Sequence, residues 1–326
     1  MIAFLAQRWF LCALIAGVAL ALLAPHAVDS VTQSLWPPLV IATALFLMAW
    51  TMPSRSLAGE LGQPWAALWA TVIGYGALPA MGWLVGHFAP LPDVQIGLLL
   101  AASVPCTLAS CVLWTRLAGG NEATALLTVL FCTLSSWFLT TFWLSATTGA
   151  QVNIPISKMM SELVITLVVP AAVGQGLRFY QPCAEFANRH KHLLSVVAQL
   201  FVLSIVLKAA ATVGLKVQEG DATLTPTVLI GSAVLALGLH LAALYAGLWS
   251  SAGWGFDRPR QIAVAFSGSQ KTLPVSLFLF QEYFQEDYPL AVVPLLFFHV
   301  GQLLLDTLIA ERLKRQTLPV EVVEAL

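Results

Sequence analysis

The sequence predicts an all-α polytopic membrane protein with ten transmembrane helices in two inverted five-helix repeats, and three observations predict it. A chain of 326 residues that is 59 % hydrophobic and only 10 % charged, with mean hydropathy +0.84, lacks the polar surface of a water-soluble globule. Apolar runs of about 20 residues recur along it, each long enough to cross roughly 30 Å of hydrocarbon. With ten spans, eleven of the 15 Lys and Arg residues fall on one side (Arg8, Arg55, Arg116, Arg178, Arg189, Lys191, Arg258, Arg260, Arg312, Lys314, Arg315) and two, Lys158 and Lys216, on the other. The positive-inside bias then puts both termini in the cytoplasm, and the plasma membrane is the expected location.

The spans read 9–28, 35–52, 64–86, 96–117, 122–147, 159–180, 193–212, 225–250, 262–281 and 289–311, a single transmembrane unit over 1–311 with a cytoplasmic tail at 312–326. Span one follows a single arginine, and its length suits a retained helix rather than a cleaved leader. Span four, "LLLAASVPCTLASCVLWTRLAGGN", carries Pro105 in mid-membrane. Gly119, Gly120, Asn121 and Glu122 form the turn into span five, whose first amides Asn121 is placed to cap. The basic loop "QPCAEFANRHKH" after span six reads as a topology determinant, with contact to anionic membrane lipid as the alternative. Lys208, near the end of span seven, is expected to snorkel to the interface. His240 in span eight reads as a hydrogen-bonded interior histidine, with no second metal-type residue beside it.

Span nine contains "IAVAFSGSQKTLPVSL", where Ser267, Gly268, Ser269, Gln270 and Lys271 precede Pro274. Proline removes a backbone donor and clashes with the preceding turn, so spans four and nine are expected to break near Pro105 and from Gly268 to Pro274. Hydrocarbon cannot satisfy the freed groups, so such breaks belong where protein or water surrounds them. An odd number of spans per half makes the repeats, 9–147 and 159–311, inverted, and the two breaks occupy matching places. That pattern points to a midplane site lined by Ser110, Cys111, Ser267, Ser269, Gln270 and Lys271, with Thr107 and Thr272 beside them. Lys271 has two open roles. It is a fixed counter-ion for broken helix ends, or it works directly as proton carrier or anion-binding group. Span ten adds His299, Gln302 and Asp306 on one stripe facing protein or water, with Asp306 a candidate partner for Lys271.

Other chemistries find little support. A net charge of −1 suggests no nucleic-acid partner, and five singly placed cysteines, Cys12, Cys106, Cys111, Cys132 and Cys183, form no zinc or redox pair. No metal site or cofactor is expected. "SGSQK" lacks the strand-turn-helix setting of a nucleophile elbow, which leaves a Ser/Lys dyad from Ser267 or Ser269 with Lys271 as the one enzymatic alternative.

The strings "PCTLASCVLWTRLAGGNEA" and "FSGSQKTL" resemble the bile acid:sodium symporter superfamily, in its symporter-like branch that includes solute carrier family 10 member 7. The resemblance implies a panel from spans one, two, six and seven and a core from three to five and eight to ten. It further implies that broken helices four and nine cross in the core and that alternating access moves core against panel. It implies a symporter-like secondary transporter of a small organic solute; Lys271 and the helix ends make an anionic solute the expectation, and the buried lysine makes a proton the candidate coupling ion. A non-transporting scaffold is the alternative, although it would not need broken helices. The sodium-coupled members carry oxygen-bearing residues where this chain has Gly74, Cys111, Phe266 and Lys271, and hydroxyls where it has Ala125 and Val129, with Thr124 and Thr128 adjacent. Only Ser110 and Gln270 match, so sodium coupling is not expected and no residue is assigned as a metal ligand.

Overall fold

A computed structural model describes residues 9–52, 57–148, 155–220 and 223–317. Arg8, Arg55 and residues 318–326 of the expected tail lie outside the described residues. In chain order the helices are α1 (Trp9–Leu23), α2 (Pro25–Thr32), α3 (Pro37–Thr51), α4 (Leu57–Glu60), α5 (Trp65–Gly86), α6 (Pro92–Ser103), α7 (Ser110–Leu117) and α8 (Glu122–Thr148). They continue as α9 (Ile156–Leu177), α10 (Gln181–Arg189), α11 (Lys191–Glu219), α12 (Pro226–Gly253), α13 (Arg258–Ser269), α14 (Leu273–Leu279) and α15 (Val292–Thr317). The described residues contain no strand. Among the described residues six helices are long and apolar enough to cross a membrane, seven if the bent pair α1 and α2 counts as one span.

The other expected spans take different forms. Span one turns by 111° between Leu23 and Pro25, because Pro25 brings no N–H and opens a new helix at its first position. The 15-residue α3 stands for span two. Span four is α6 and α7 joined by extended backbone, and span nine is α13 and α14 joined through Gln270, Lys271 and Thr272. Span ten runs on as helix through Thr317, past the expected boundary at 311.

Proline also shapes the long helices. Ile73–Ala77, just before Pro79, is a π turn in which Leu78 N–H donates to the Ile73 carbonyl. Pro79 has no N–H to offer, so the Gly74 carbonyl is left without its helical donor. A second π turn, Val164–Val168, precedes Pro170 in α9, and a third, Phe280–Phe284, follows α14.

Two sets of helices pack within themselves. α11 lies against α1, α2 and α3, and α9 against α3. α12 lies against α13 and α15, α5 against α6, α8 and α13, and α7 against α13 and α15. α14 touches α3 and α11 of the first set. Close approach is built in at Gly97 of α6, where a Cβ would stand 2.2 Å from the Ala291 carbonyl oxygen.

Candidate functional site

The two breaks meet. Thr272 N–H donates to the Pro105 carbonyl at 3.0 Å, joining the backbone of one interruption to that of the other. Around this bond the freed groups of both helices are satisfied by side chains. Gln302 of α15 clamps the second break, accepting from Lys271 N–H and donating to the Lys271 carbonyl, each at 2.9 Å. His299 Nδ1 lies 3.0 Å from the Gln302 amide nitrogen.

Lys271 is 3 % exposed, and its ammonium donates to the Gly74 carbonyl at 2.6 Å and to the Val104 carbonyl at 2.7 Å. The first is the carbonyl orphaned by the π turn; the second lies where α6 gives way to the break. The Tyr75 ring lies 4.8 Å from the same nitrogen. A Cβ at Gly74 would stand 3.3 Å from the Gly268 carbonyl oxygen and 3.8 Å from this ammonium, so a larger residue at 74 would compete with the lysine for its space. Asp306 is not its partner, contrary to the expectation. Asp306 is fully buried, its Oδ1 2.9 Å from His240 Nε2 and its Oδ2 accepting from the Gln270 amide at 2.5 Å. His240 is thus an interior hydrogen-bonded histidine, but an acidic residue does accompany it.

Gln270 links this buried pair to the first break. Its Oε1 accepts from Thr107 Oγ1 and faces Ser110 Oγ, both at 2.8 Å, and Ser110 Oγ is also 2.7 Å from Thr107 Oγ1. Cys111 N–H donates to Thr107 Oγ1 at 3.0 Å, so Thr107 organises the start of α7. The structure therefore brings together Thr107, Ser110, Cys111, Gln270, Lys271 and Thr272. Ser267 and Ser269 do not join them; their hydroxyls donate to Ala263 and Phe266 carbonyls of their own helix. Phe266 packs in a cluster with Ala118, Leu244 and Leu313.

A cavity of about 130 Å³ opens beside the crossing. Phe10 of α1, Met48 of α3 and Gln199 of α11 wall it on one side; Ser110, Thr272 and His299 wall it on the other. It therefore lies between the two sets of helices, and Lys271 does not line it. Among the described residues no three His, Cys, Asp or Glu side chains are grouped to hold a metal ion.

Glu60, which the sequence did not single out, ties the far ends of the broken helices together. Its carboxylate accepts from Thr124 Oγ1 at 2.6 Å, from Arg260 Nε at 3.1 Å and from the Asn121 amide at 3.3 Å. Burial alone would raise the Glu60 carboxyl, but the bonds from Thr124 and Arg260 and the Arg260 charge hold it below the usual range. Asn121 Oδ1 in turn accepts from Ala123 and Thr124 N–H, capping α8 as expected. Thr124 is thus spent on Glu60, and Thr128 on its own helix.

The sequence pattern of the SBF-like CPA transporter family matches residues 8–315. Sodium/bile acid cotransporter 7 of Mus musculus is 23 % identical over 321 residues, 94 % of this chain and 93 % of that protein. The protein of the same name in Danio rerio is 27 % identical over 223 residues, covering 67 % of this chain and 65 % of its own. Sodium/bile acid cotransporter 7-A of Xenopus laevis is 24 % identical, covering 95 % and 92 % respectively. A helical chain with several apolar helices of membrane length and a family match over nearly its whole length is a multi-pass membrane transporter, and this chain belongs to the SBF-like CPA transporter family.

Proposed function

We propose that the chain is a secondary-active transporter that moves a small organic solute by alternating access, with ten spans in two inverted repeats. In this reading α1, α3, α9 and α11 form the panel, and the helices around the crossing form the core. The observation that carries it is the cavity at the meeting of both breaks, with one wall from each set of helices. At about 130 Å³ it is small beside the roughly 300–1,000 Å³ of ordinary ligand pockets, so a drug-sized solute needs the panel to draw back. Broken helices cost backbone hydrogen bonds that a scaffold would not need to lose.

The solute's anionic character rests on the positive end of α7, where Ser110 opens the helix at the cavity wall. Lys271 supports it only through the field, since its ammonium is bound to two carbonyls. The mouse and zebrafish relatives carry sodium in their names. Here Gly74, Cys111 and Phe266 offer no side-chain oxygen, and the Lys271 ammonium supplies positive charge in sodium's place. The Ser/Lys alternative has no support in the geometry, because both serines and the lysine are bonded elsewhere. The charge asymmetry supports both termini being cytoplasmic.

Proteoliposomes challenged with a labelled metabolite library under imposed ion gradients test the proposal. Gradient-driven, saturable uptake of an organic anion is expected. No uptake of any solute by protein shown to be folded would favour the scaffold.

A further inference from the structure

We propose that His240 and Asp306 form a proton-binding site whose exchange with water is controlled from the solute cavity through Gln270. The proposal rests on the transport reading for its purpose, but not for its geometry. Both side chains are fully buried, and each His240 nitrogen faces an oxygen: Nε2 the Asp306 carboxylate at 2.9 Å, Nδ1 the Ser269 carbonyl at 3.4 Å. A neutral imidazole has one N–H and one bare nitrogen. With one hydrogen between them, the pair leaves a nitrogen lone pair directed at an oxygen, whichever tautomer forms. A second hydrogen gives both contacts a donor, as imidazolium with carboxylate or as imidazole with carboxylic acid. The pair is thereby built to take up one further proton. The balance is simple: hydronium gives a proton to a ring nitrogen or carboxylate oxygen and leaves as water, and release is the reverse.

The surroundings concentrate this role on the pair. Lys271, in the break beside α13, directs its charge to the Gly74 and Val104 carbonyls. His299 on α15 is engaged by Gln302, and Tyr75 on α5 by the Cys132 carbonyl and Thr140. Arg260 on α13 is held by Glu60, and Arg116 on α7 by Glu122. Tyr245, elsewhere on α12, stacks near Trp249, and Glu311 on α15 is exposed. The Phe298 ring stands edge-on to His240 at 5.7 Å and shields it.

Gln270 is the gate. Its amide N–H holds Asp306 while its oxygen is held by Thr107 and Ser110, and Ser110 and Thr107 both line the cavity. A side-chain amide does not relay protons, so exchange through the cavity requires Gln270 to leave Asp306. A solute that takes up the Thr107 and Ser110 hydroxyls releases the anchor of Gln270 and so opens the pair.

The test uses the full chain in lipid nanodiscs with its six histidines labelled with nitrogen-15, and needs no solute. His240 is assigned by loss of its signals in His240→Gln, or by their displacement in Phe298→Leu should the first variant not fold. Between samples at about pH 5 and about pH 9 the His240 signals are expected to move, because the second hydrogen, on the ring or on Asp306, changes what Nε2 faces. An unchanged His240 spectrum across that range overturns the proton site. In Thr107→Val/Ser110→Ala, proton exchange at His240 is expected to speed up about tenfold, as two neutral hydrogen bonds to Gln270 are lost. An unaltered rate overturns control by the cavity. A failure of solute uptake leaves these readings standing, and a silent His240 leaves the uptake assay to judge transport.

Discussion

Replacing Lys271 by Met keeps most of the side-chain volume and removes only the ammonium, so it measures what that charge does at the crossing. The wild-type nitrogen donates two short hydrogen bonds, at 2.6 and 2.7 Å, to carbonyls that the π turn and the first break leave without backbone donors. A charged donor contributes about 1.5–3 kcal/mol per bond, and a buried acceptor left unpaired costs about 1–3 kcal/mol. Relief of the ammonium's own burial offsets part of this, giving a net destabilisation of about 3 kcal/mol. At about 2 °C per kcal/mol, thermal unfolding in nanodiscs should drop on the order of 6 °C. The Tyr75 ring at 4.8 Å predicts that Tyr75→Leu and Lys271→Met are not additive, with a coupling of about 1 kcal/mol. A loss below about 1 kcal/mol in Lys271→Met would refute the reasoning, since two orphaned buried carbonyls cannot cost so little.

Sodium should not stabilise the wild-type protein, because an ammonium about 4 Å from a would-be site repels it by roughly 4 kcal/mol at an effective dielectric of about 20. Saturable, sodium-specific stabilisation in a thermal-shift titration against potassium or choline at constant ionic strength would contradict this. Gln302→Leu removes both bonds that hold the Lys271 backbone and should destabilise by about 2–3 kcal/mol, read by denaturant unfolding, with a larger loss of transport than His299→Leu. Glu60 is held below its ordinary value of 4.5 in the folded protein, so its contribution is present above that value and is lost as pH falls through the folded one. Thermal stability should therefore decline below about pH 4.5, and Glu60→Gln should flatten that decline while lowering stability at neutral pH.

The breaks were legible because proline and glycine write them into the sequence: Pro105 and the run from Gly268 to Pro274 sit where a continuous helix would need donors they lack. An apolar chain also makes every buried charge conspicuous, which drew attention to Lys271 and Asp306. Their partners were not legible. Pairing Lys271 with Asp306 followed from charge alone, whereas distance decides, and Asp306 lies against His240 and Gln270. Backbone carbonyls carry no residue signature, so nothing in the sequence marked Gly74 and Val104 as the lysine's acceptors, although Pro79 five residues after Gly74 was the available hint. Glu60 escaped notice because a single acidic residue in a loop looks like any solvated one. The bend at Pro25 was visible as a proline in the first apolar run, but neither its 111° angle nor the packing of α2 against α11 has a residue signature.

The Lys271 bonds have a consequence for how the chain is made. Gly74 and Val104 are 197 and 167 residues upstream of the lysine that satisfies them. At roughly 5–20 residues per second, a ribosome delivers that lysine roughly 10–40 s after Gly74 is synthesised. For most of that interval two bare carbonyls accompany α5 and α6 into the bilayer, where they must be met by water, by the insertion machinery or by neighbouring helices. The amino-terminal half is therefore an unfinished object until α13 and the lysine after it arrive, and a chain stopped before residue 271 should be cleared by membrane proteases faster than one stopped just after α14.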